Sequence, residues 1–372
     1  MTASTAIVIG AGIVGSCCAW TLARRGINTR IIDPRGIGQG TTAAGMGHIA
    51  IMDDPPAELA LTKRSRDLWD EVLPRLPTES GYRRCGTLWI ATDEAELAEA
   101  RAKHNRLRTV GVECQVLSGS EVAAREPNLR PGLTGGLLIP GDSIVLPPIA
   151  ARWLLRDARI VGDLPLPARS VTHIAPNQVT LDDGSRLDAD IIINAAGLWA
   201  RDLSRGLPLR ARKGHLWMTA HAPDFCHHQI VALDYIKKAH SGDAVATSFN
   251  IQPRASGHLV VGSSRQFDVE TPSIDGPIMH DMLDLAGAFM PGLTSMRTER
   301  VWTGLRAATP DGLPIIGPHP SIPSLYLAAG HEGLGLTMSM ATAELIADFA
   351  IGRAPQLDPA PYAPSRFKEL LA

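Results

Sequence analysis

The apolar run Ala6–Gly10 ends in a glycine, the pattern of a short parallel strand buried on both faces. Ile13–Arg25 follows with helical spacing and is closed by Gly26, and Asn28–Asp33 is a second short strand. The chain therefore opens with a β-α-β unit. Later the pattern changes. Tyr82–Thr92 alternates like a half-buried strand, Asp93–Val110 reads as a charged amphipathic helix, and Ser118–Glu126 as a short capped helix before Pro127. Asp190–Ala195 is another apolar run, leading into Ala196-Gly197. Gly214–Thr219, Ala244–Gln252 and His258–Ser263 predict strands of an antiparallel sheet, while Ile278, Met282, Leu285 and Phe289 share one helical face. Ser324–Gly352 reads as strand, glycine-rich turn and long helix, and the proline-rich tail after Gly352 as an extended surface segment.

Strands and helices of the opening style return in the middle and at the end of the chain. The expected fold class is α/β: a Rossmann-like nucleotide-binding domain interleaved with an α+β substrate domain built on an antiparallel sheet. Residues 1–80, 145–212 and 305–372 are assigned to the first, and 81–144 and 213–304 to the second.

Composition narrows the function without deciding it. The 372 residues suffice for two domains, and a net charge of −2 supplies no global field for nucleic acid or an anionic membrane. Five cysteines without CxxC spacing argue against a disulfide framework and against zinc or iron–sulfur ligation, so no metal is expected. Cys17 and Cys18 fall on a predicted buried helix as small core residues. Ala6–Ala23 is apolar but has spaced glycines and no basic leader, so it is read as strand–turn–helix. No transmembrane helix is expected, and a reducing cytoplasm fits best.

Gly10-Ala11-Gly12-Ile13-Val14-Gly15 is a GxGxxG turn between that first strand and helix. The first glycine permits the bend, the second admits a pyrophosphate to the backbone, and the third lets helix and strand pack closely. The pyrophosphate would sit at the helix N-terminus, with Asp33, followed by Pro34, placed for a ribose hydroxyl. This much fits NAD and FAD equally. The small, hydroxyl-bearing loop Gly38-Gln39-Gly40-Thr41-Thr42-Ala43-Ala44-Gly45-Met46, followed by Gly47, can cover a longer cofactor, and Ala196, Gly197 and Trp199 lie on a second such turn. Gly330-His331-Glu332-Gly333-Leu334-Gly335, running on into Leu336 and Thr337, opens the last helix and would aim N–H groups at the flavin pyrimidine edge. Together these elements point to FAD.

On these motifs, together with Gly304-Leu305-Arg306 and Asp311-Gly312-Leu313-Pro314, the chain resembles the D-amino acid oxidase superfamily, in its glycine and sarcosine oxidase branch. A closer resemblance, to the beta subunits of D-hydroxyproline dehydrogenases and opine oxidases, rests on several segments. They are Gly45-Met46-Gly47-His48, Arg212-Lys213-Gly214-His215-Leu216, Tyr235–His240, Gly262–Phe267 and Gly330–Gly335. The resemblance implies backbone contacts from Val171 to the adenine end, and partner subunits carrying a flavin or nucleotide and an iron–sulfur centre. Relatives that tether the flavin place Cys or His where this chain has Gly304 and Thr42, so noncovalent FAD is expected.

Such a site oxidises an amine at Cα by hydride transfer to flavin N5, and needs orientation more than a strong base. Arg306 is the expected carboxylate clamp, since a guanidinium makes two parallel hydrogen bonds to a carboxylate. Tyr235 is read either as a hydroxyl for that carboxylate or as a core tyrosine, and His48 either as facing the flavin or as structural. Glu332 is expected to act through its backbone N–H alone. His227-His228, Lys237-Lys238 and Arg265 are read as solvated surface. The substrate implied is a D-configured cyclic imino acid, cis-4-hydroxy-D-proline or similar. The alternatives are an oxygen-using glycine, sarcosine or D-amino acid oxidase, an opine oxidase subunit, or a flavin-holding scaffold.

Overall fold

The computed structural model describes residues 4–52, 55–159, 169–234 and 245–369. Tyr235, Lys237 and Lys238, with the rest of the Tyr235–His240 motif, lie outside the described residues.

The opening unit forms as the pattern predicts: strand Thr5–Ile9, helix Ile13–Arg24, strand Asn28–Ile32. Strand Thr5–Ile9 sits inside a five-stranded sheet, between Asn28–Ile32 and Ile191–Asn194, and then come Leu325–Ala329 and Ile315–Pro318 at the edge. All pairs are parallel except the last, which is antiparallel. Ala6, Ile7, Val8 and Ile9 are buried because helices cover one face and the Val171–Asp188 meander with residues 197–211 covers the other. The helices Ile13–Arg24, Pro56–Val72 and Gly335–Ala350 pack together on the first face. The strand ends at Gly10, whose φ of +103° only glycine adopts freely. A Cβ at Gly15 would run into the Gly10 carbonyl, so these two glycines let the helix cross directly behind the turn.

The second sheet has eight strands, in the order 298–308, 210–219, 259–267, 245–253, 229–232, 87–91, 135–139, 115–118. Only the 229–232 and 87–91 pair is parallel. Helix Gly276–Phe289 covers one face with Ile278, Met282, Ala286 and Phe289 buried, while Leu285 is partly buried; the Phe289 ring stacks on Phe249 at 4.8 Å. The two predicted polar helices also form. Asp93 caps Glu94–Thr109 by accepting from Glu96 N at 2.8 Å, and Ser118 with Glu121 makes a capping box for Gly119–Arg125.

Three expectations are corrected. The alternating stretch Tyr82–Thr92 yields a strand only over Thr87–Ala91, and every residue of it is buried, since both faces of this central strand are packed. The proline-rich tail is not merely extended surface. It makes short turns that bury Tyr362, whose hydroxyl donates to the Ala57 carbonyl, and Arg366 pairs with Asp311. His227-His228 is not a solvated pair either: both backbone N–H groups and His228 Nδ1 meet the fully buried Glu126 carboxylate, at 3.0, 2.6 and 2.7 Å. Two adjacent amides converge on one buried anion there, an arrangement that no periodicity reveals.

The two sheets meet along strand Thr298–Ala308. Thr41 donates its hydroxyl to the Leu305 carbonyl, and Trp302 Nε1 donates to Ala44 O at 3.0 Å. Among the described residues no helix is long and apolar enough to cross a membrane.

Candidate active site

A cavity of about 560 Å³ follows this junction, from the carboxyl ends of the five-stranded sheet to the face of the eight-stranded one. At its nucleotide end lie Gly10, Gly12, Ile13, Val14, Asp33, Pro34, Val171, Ala196, Gly197 and Trp199. Helix Ile13–Arg24 starts at Gly12 with no side chain of the cap residue closing it, which leaves its N-terminus facing the cavity. Asp33 accepts from Ala11 N and from Arg35 N, both at 2.8 Å, so the acid ties the glycine turn to the end of its strand. Arg35 lies over the Trp199 ring, 3.8 Å from its centroid, at the rim.

Midway, Gly40, Thr41, Thr42, Ala44, Gly45, Met46 and Gly47 line the cavity, with Thr41–Ala44 wound into one helical turn. Thr42 Oγ1 accepts from Ile13 N at 3.0 Å. A Cβ at Gly304 would stand 2.6 Å from Ala44 Cβ, so the wall is closed to any larger side chain there. Gly330, His331, Glu332, Gly333, Gly335 and Leu336 complete the far wall. Three predicted cofactor residues do not line it: Gly15 serves the crossing, Leu334 is core, and Thr337 joins helix to strand by donating to His48 O at 3.1 Å.

The other end of the cavity is built on strand Arg210–Thr219 and its neighbour Thr298–Ala308. Arg306 pairs with Arg212 across the ladder, and Gly214 with Gly304. The Arg306 guanidinium lies flat over Gly214, donates from Nη1 to Ser264 O at 3.1 Å, and has Nε 3.9 Å from Glu332 Oε1. Arg212 Nη1 reaches the same carboxylate oxygen at 3.4 Å. Arg265, expected on the surface, is buried at 5% exposure. Burial would raise the Glu332 carboxyl, but Arg306, Arg265 and Arg212 outweigh it and hold that group below its usual range. Glu332 therefore contributes its carboxylate as well as its backbone, the counter-charge of an arginine cluster.

His48 lines the cavity from a two-residue strand paired with Ser143–Ile144. Burial, then the charge of Arg306, pushes its imidazole down to about 4, so it is neutral at ordinary pH. His331 is buried, sits 2.9 Å from Thr342 Oγ1, and is pushed down to about 3 by burial. Asn250 and Ser263 also line the cavity, and the amide oxygen of Asn250 is buried without a partner. Gly214 and Ser263 fall in segments that the sequence singles out without giving them a role, whereas Arg35 and Asn250 were missed. Of these two, only Arg35, two residues after the strand-ending acid, carried a local signal.

The donor set fits FAD: a helix N-terminus that its own cap residue leaves open for the pyrophosphate, glycine walls along the cavity, and an orphaned buried acceptor in its lining. Among the described residues no cluster of three or more His, Cys, Asp or Glu is placed to hold a metal ion.

Comparison with known proteins agrees. Residues 5–349 match the family described as FAD dependent oxidoreductase. The glycine oxidase of Pseudomonas aeruginosa is 29% identical, over 96% of this chain and 98% of its own. The crystal structure of glycine oxidase from Geobacillus kaustophilus superposes with a TM-score of 0.86 at 24% identity, covering 97% of this chain and 98% of that one. That of L-proline dehydrogenase from P. horikoshii gives 0.87 at 22%, covering 99% and 98%. These two likenesses establish the fold.

Proposed function

Because the chain belongs to the FAD-dependent oxidoreductase family, and so is a flavoenzyme acting on amino acid CH–NH donors, we propose that its substrate is a D-configured cyclic imino acid. The reading is oxidation of cis-4-hydroxy-D-proline, or a D-proline-like acid, to the imine. The observation that carries it is Arg306, flat on Gly214 in the wall of the cavity and within reach of the loop Gly330–Gly335. Bound FAD, held by the glycine-rich walls, would supply the two-electron acceptor for oxidation at Cα.

The chain's own residues do the rest. Arg306 holds the carboxylate and thereby fixes the direction of the Cα–H bond. Asn250 offers its free amide oxygen to an N–H donor. His48, neutral and weakly basic, serves as a hydrogen-bond partner rather than as the base, so the amine must reach the site already unprotonated. Met46, Leu216 and Pro147 line the cavity with apolar surface and exclude water. Tyr235 would join this set as a carboxylate or lid hydroxyl. The residues assigned to cofactor binding would hold FAD noncovalently, Gly304 and Thr42 leaving no attachment point. Residues 1–80, 145–212 and 305–372 would form the cofactor domain and 81–144 with 213–304 the substrate domain. Electrons would pass to partner subunits with a flavin or nucleotide and an iron–sulfur centre, in the cytoplasm.

Anaerobic addition of cis-4-hydroxy-D-proline should bleach the bound flavin. If no D-amino acid, cyclic imino acid or opine reduces it, the reading fails. An oxygen-using amino acid oxidase is the second reading, favoured by the likeness to a glycine oxidase, and steady peroxide release by the isolated chain would select it.

A further inference from the structure

Two segments singled out in the sequence, Arg212–Leu216 and Gly262–Phe267, each place a residue just behind the cavity wall. His215 is fully buried on the strand face opposite Gly214 and Leu216, which line the cavity. Its Nε2 accepts from Asp275 N at 3.1 Å, and its Nδ1 lies 2.8 Å from Ser264 Oγ. An imidazole that accepts at Nε2 and is neutral must carry its proton on Nδ1, so His215 donates to the serine. Burial and then the charge of Lys213 favour that neutral form. The His215 backbone N–H also donates to Ser264 Oγ, at 3.0 Å. The serine is thus gripped twice by one residue. Its carbonyl, on the other side of the peptide, is the group that accepts from Arg306 Nη1 at 3.1 Å.

The far end of the chain of contacts is also anchored. Asp275 Oδ1 caps helix Gly276–Phe289 by accepting from Ile278 N at 3.2 Å, and its Oδ2 accepts from Gln266 Nε2 at 3.2 Å. Ser264 pairs in register with Thr247 on one side, but toward strand Arg210–Thr219 the register shifts between Lys213 and Leu216, so on that side the His215 hydrogen bonds to the Ser264 hydroxyl make the connection.

We propose that His215 is a positioning residue: through Ser264 it sets the carbonyl that aims the Arg306 guanidinium at the substrate carboxylate. The inference rests on Arg306 being the clamp, and deepens that reading. It also accounts for why a fully buried, polar imidazole stands behind a wall that apolar side chains could fill.

The test compares His215→Leu, His215→Gln, Ser264→Ala and Arg306→Met as FAD-loaded proteins. The readouts are KM and kcat for the carboxylate substrate, and the dissociation constant of acetate, read from the flavin absorption spectrum. Arg306→Met comes first: if it leaves acetate binding and KM unchanged, the clamp reading itself fails. With the clamp established, His215→Leu and Ser264→Ala should each raise KM and the acetate constant about tenfold, the size of one lost buried hydrogen bond. Flavin content should stay unchanged. The double variant should be no worse than either single one. Gln, which can accept at one end and donate at the other, should restore most of the loss. The inference is overturned if His215→Leu binds acetate within twofold of the parent, or if the two single effects multiply. If His215→Leu does not fold, His215→Gln and Ser264→Ala decide: a Ser264→Ala protein with unchanged acetate binding rejects the proposal.

Discussion

Arg306 and Gly214 face each other across neighbouring strands so closely that a methyl group on residue 214 would stand 2.8 Å from the guanidinium carbon. The flat arginine and the bare strand are one feature. Gly214→Ala should therefore lift the guanidinium off the wall and lower kcat/KM by about tenfold to a hundredfold, mainly through KM. Flavin content, measured by absorbance, should be retained; loss of flavin with unchanged KM would refute the prediction.

Replacing Arg306 by Lys keeps the charge but loses the planar fork. We expect kcat/KM to fall by about a hundredfold, since a point charge cannot fix a carboxylate bidentately. Steady-state kinetics over a substrate range reads this directly, and parent-like values would exclude a clamp.

His48 and His331 are pushed down to about 4 and about 3 from an ordinary value of 6.5. The unfolded chain binds protons below 6.5 that the folded one refuses, so the folded state is favoured above that pH and loses ground as pH falls toward 4. Thermal melts should show a midpoint that drops progressively from pH 7 to pH 4.5. His331→Gln should flatten that slope. The same values mean that kcat/KM should show no His48 limb between pH 5 and 8, and such a limb disappearing in His48→Asn would contradict the assignment.

Glu126 is fully buried, and its carboxylate accepts from two adjacent backbone amides and faces one imidazole. Glu126→Ala leaves those donors without partners in a dry setting. A stability loss of about 2–4 kcal/mol is expected in urea unfolding. A change below about 0.5 kcal/mol would mean that water replaces the carboxylate without cost.

Acid precipitation of the loaded protein should leave a colourless pellet and all FAD in the supernatant. Gly304 faces Ala44 too closely for a cysteine, and Thr42 already holds Ile13 N. A yellow pellet would show a covalent bond.

The legible parts of the fold were those with a short-range cause. The turn at Gly10–Gly15 is dictated by backbone sterics and helix crossing, and the capping box at Ser118 and Glu121 by three-residue spacing. The cavity walls at Thr41–Gly47 and Gly330–Gly335 were readable as glycine-rich loops before helices. What stayed hidden depends on partners far along the chain. Thr87–Ala91 is buried on both faces because Trp89 and Ala91 join one core cluster and Leu88 and Ile90 another, which includes Phe249 and Phe289 far along the chain. Arg265 read as solvent-facing, and the carboxylate of Glu332 as idle, because only the ladder brings Arg212 and Arg306 beside them. Asn250 sits in an ordinary strand, where nothing local marks it as a cavity residue.

The neighbouring hydroxyls of Thr41 and Thr42 bond in different directions, one to the Leu305 carbonyl on the large sheet and the other to Ile13 N on the glycine turn. A single helical turn thus rivets the glycine turn of the five-stranded sheet to the strand of the eight-stranded sheet that carries Arg306. Whatever settles along that turn stabilises the seam between the sheets as well as itself, by mass action. Loosening that turn should therefore weaken cofactor retention and the joint between the sheets together.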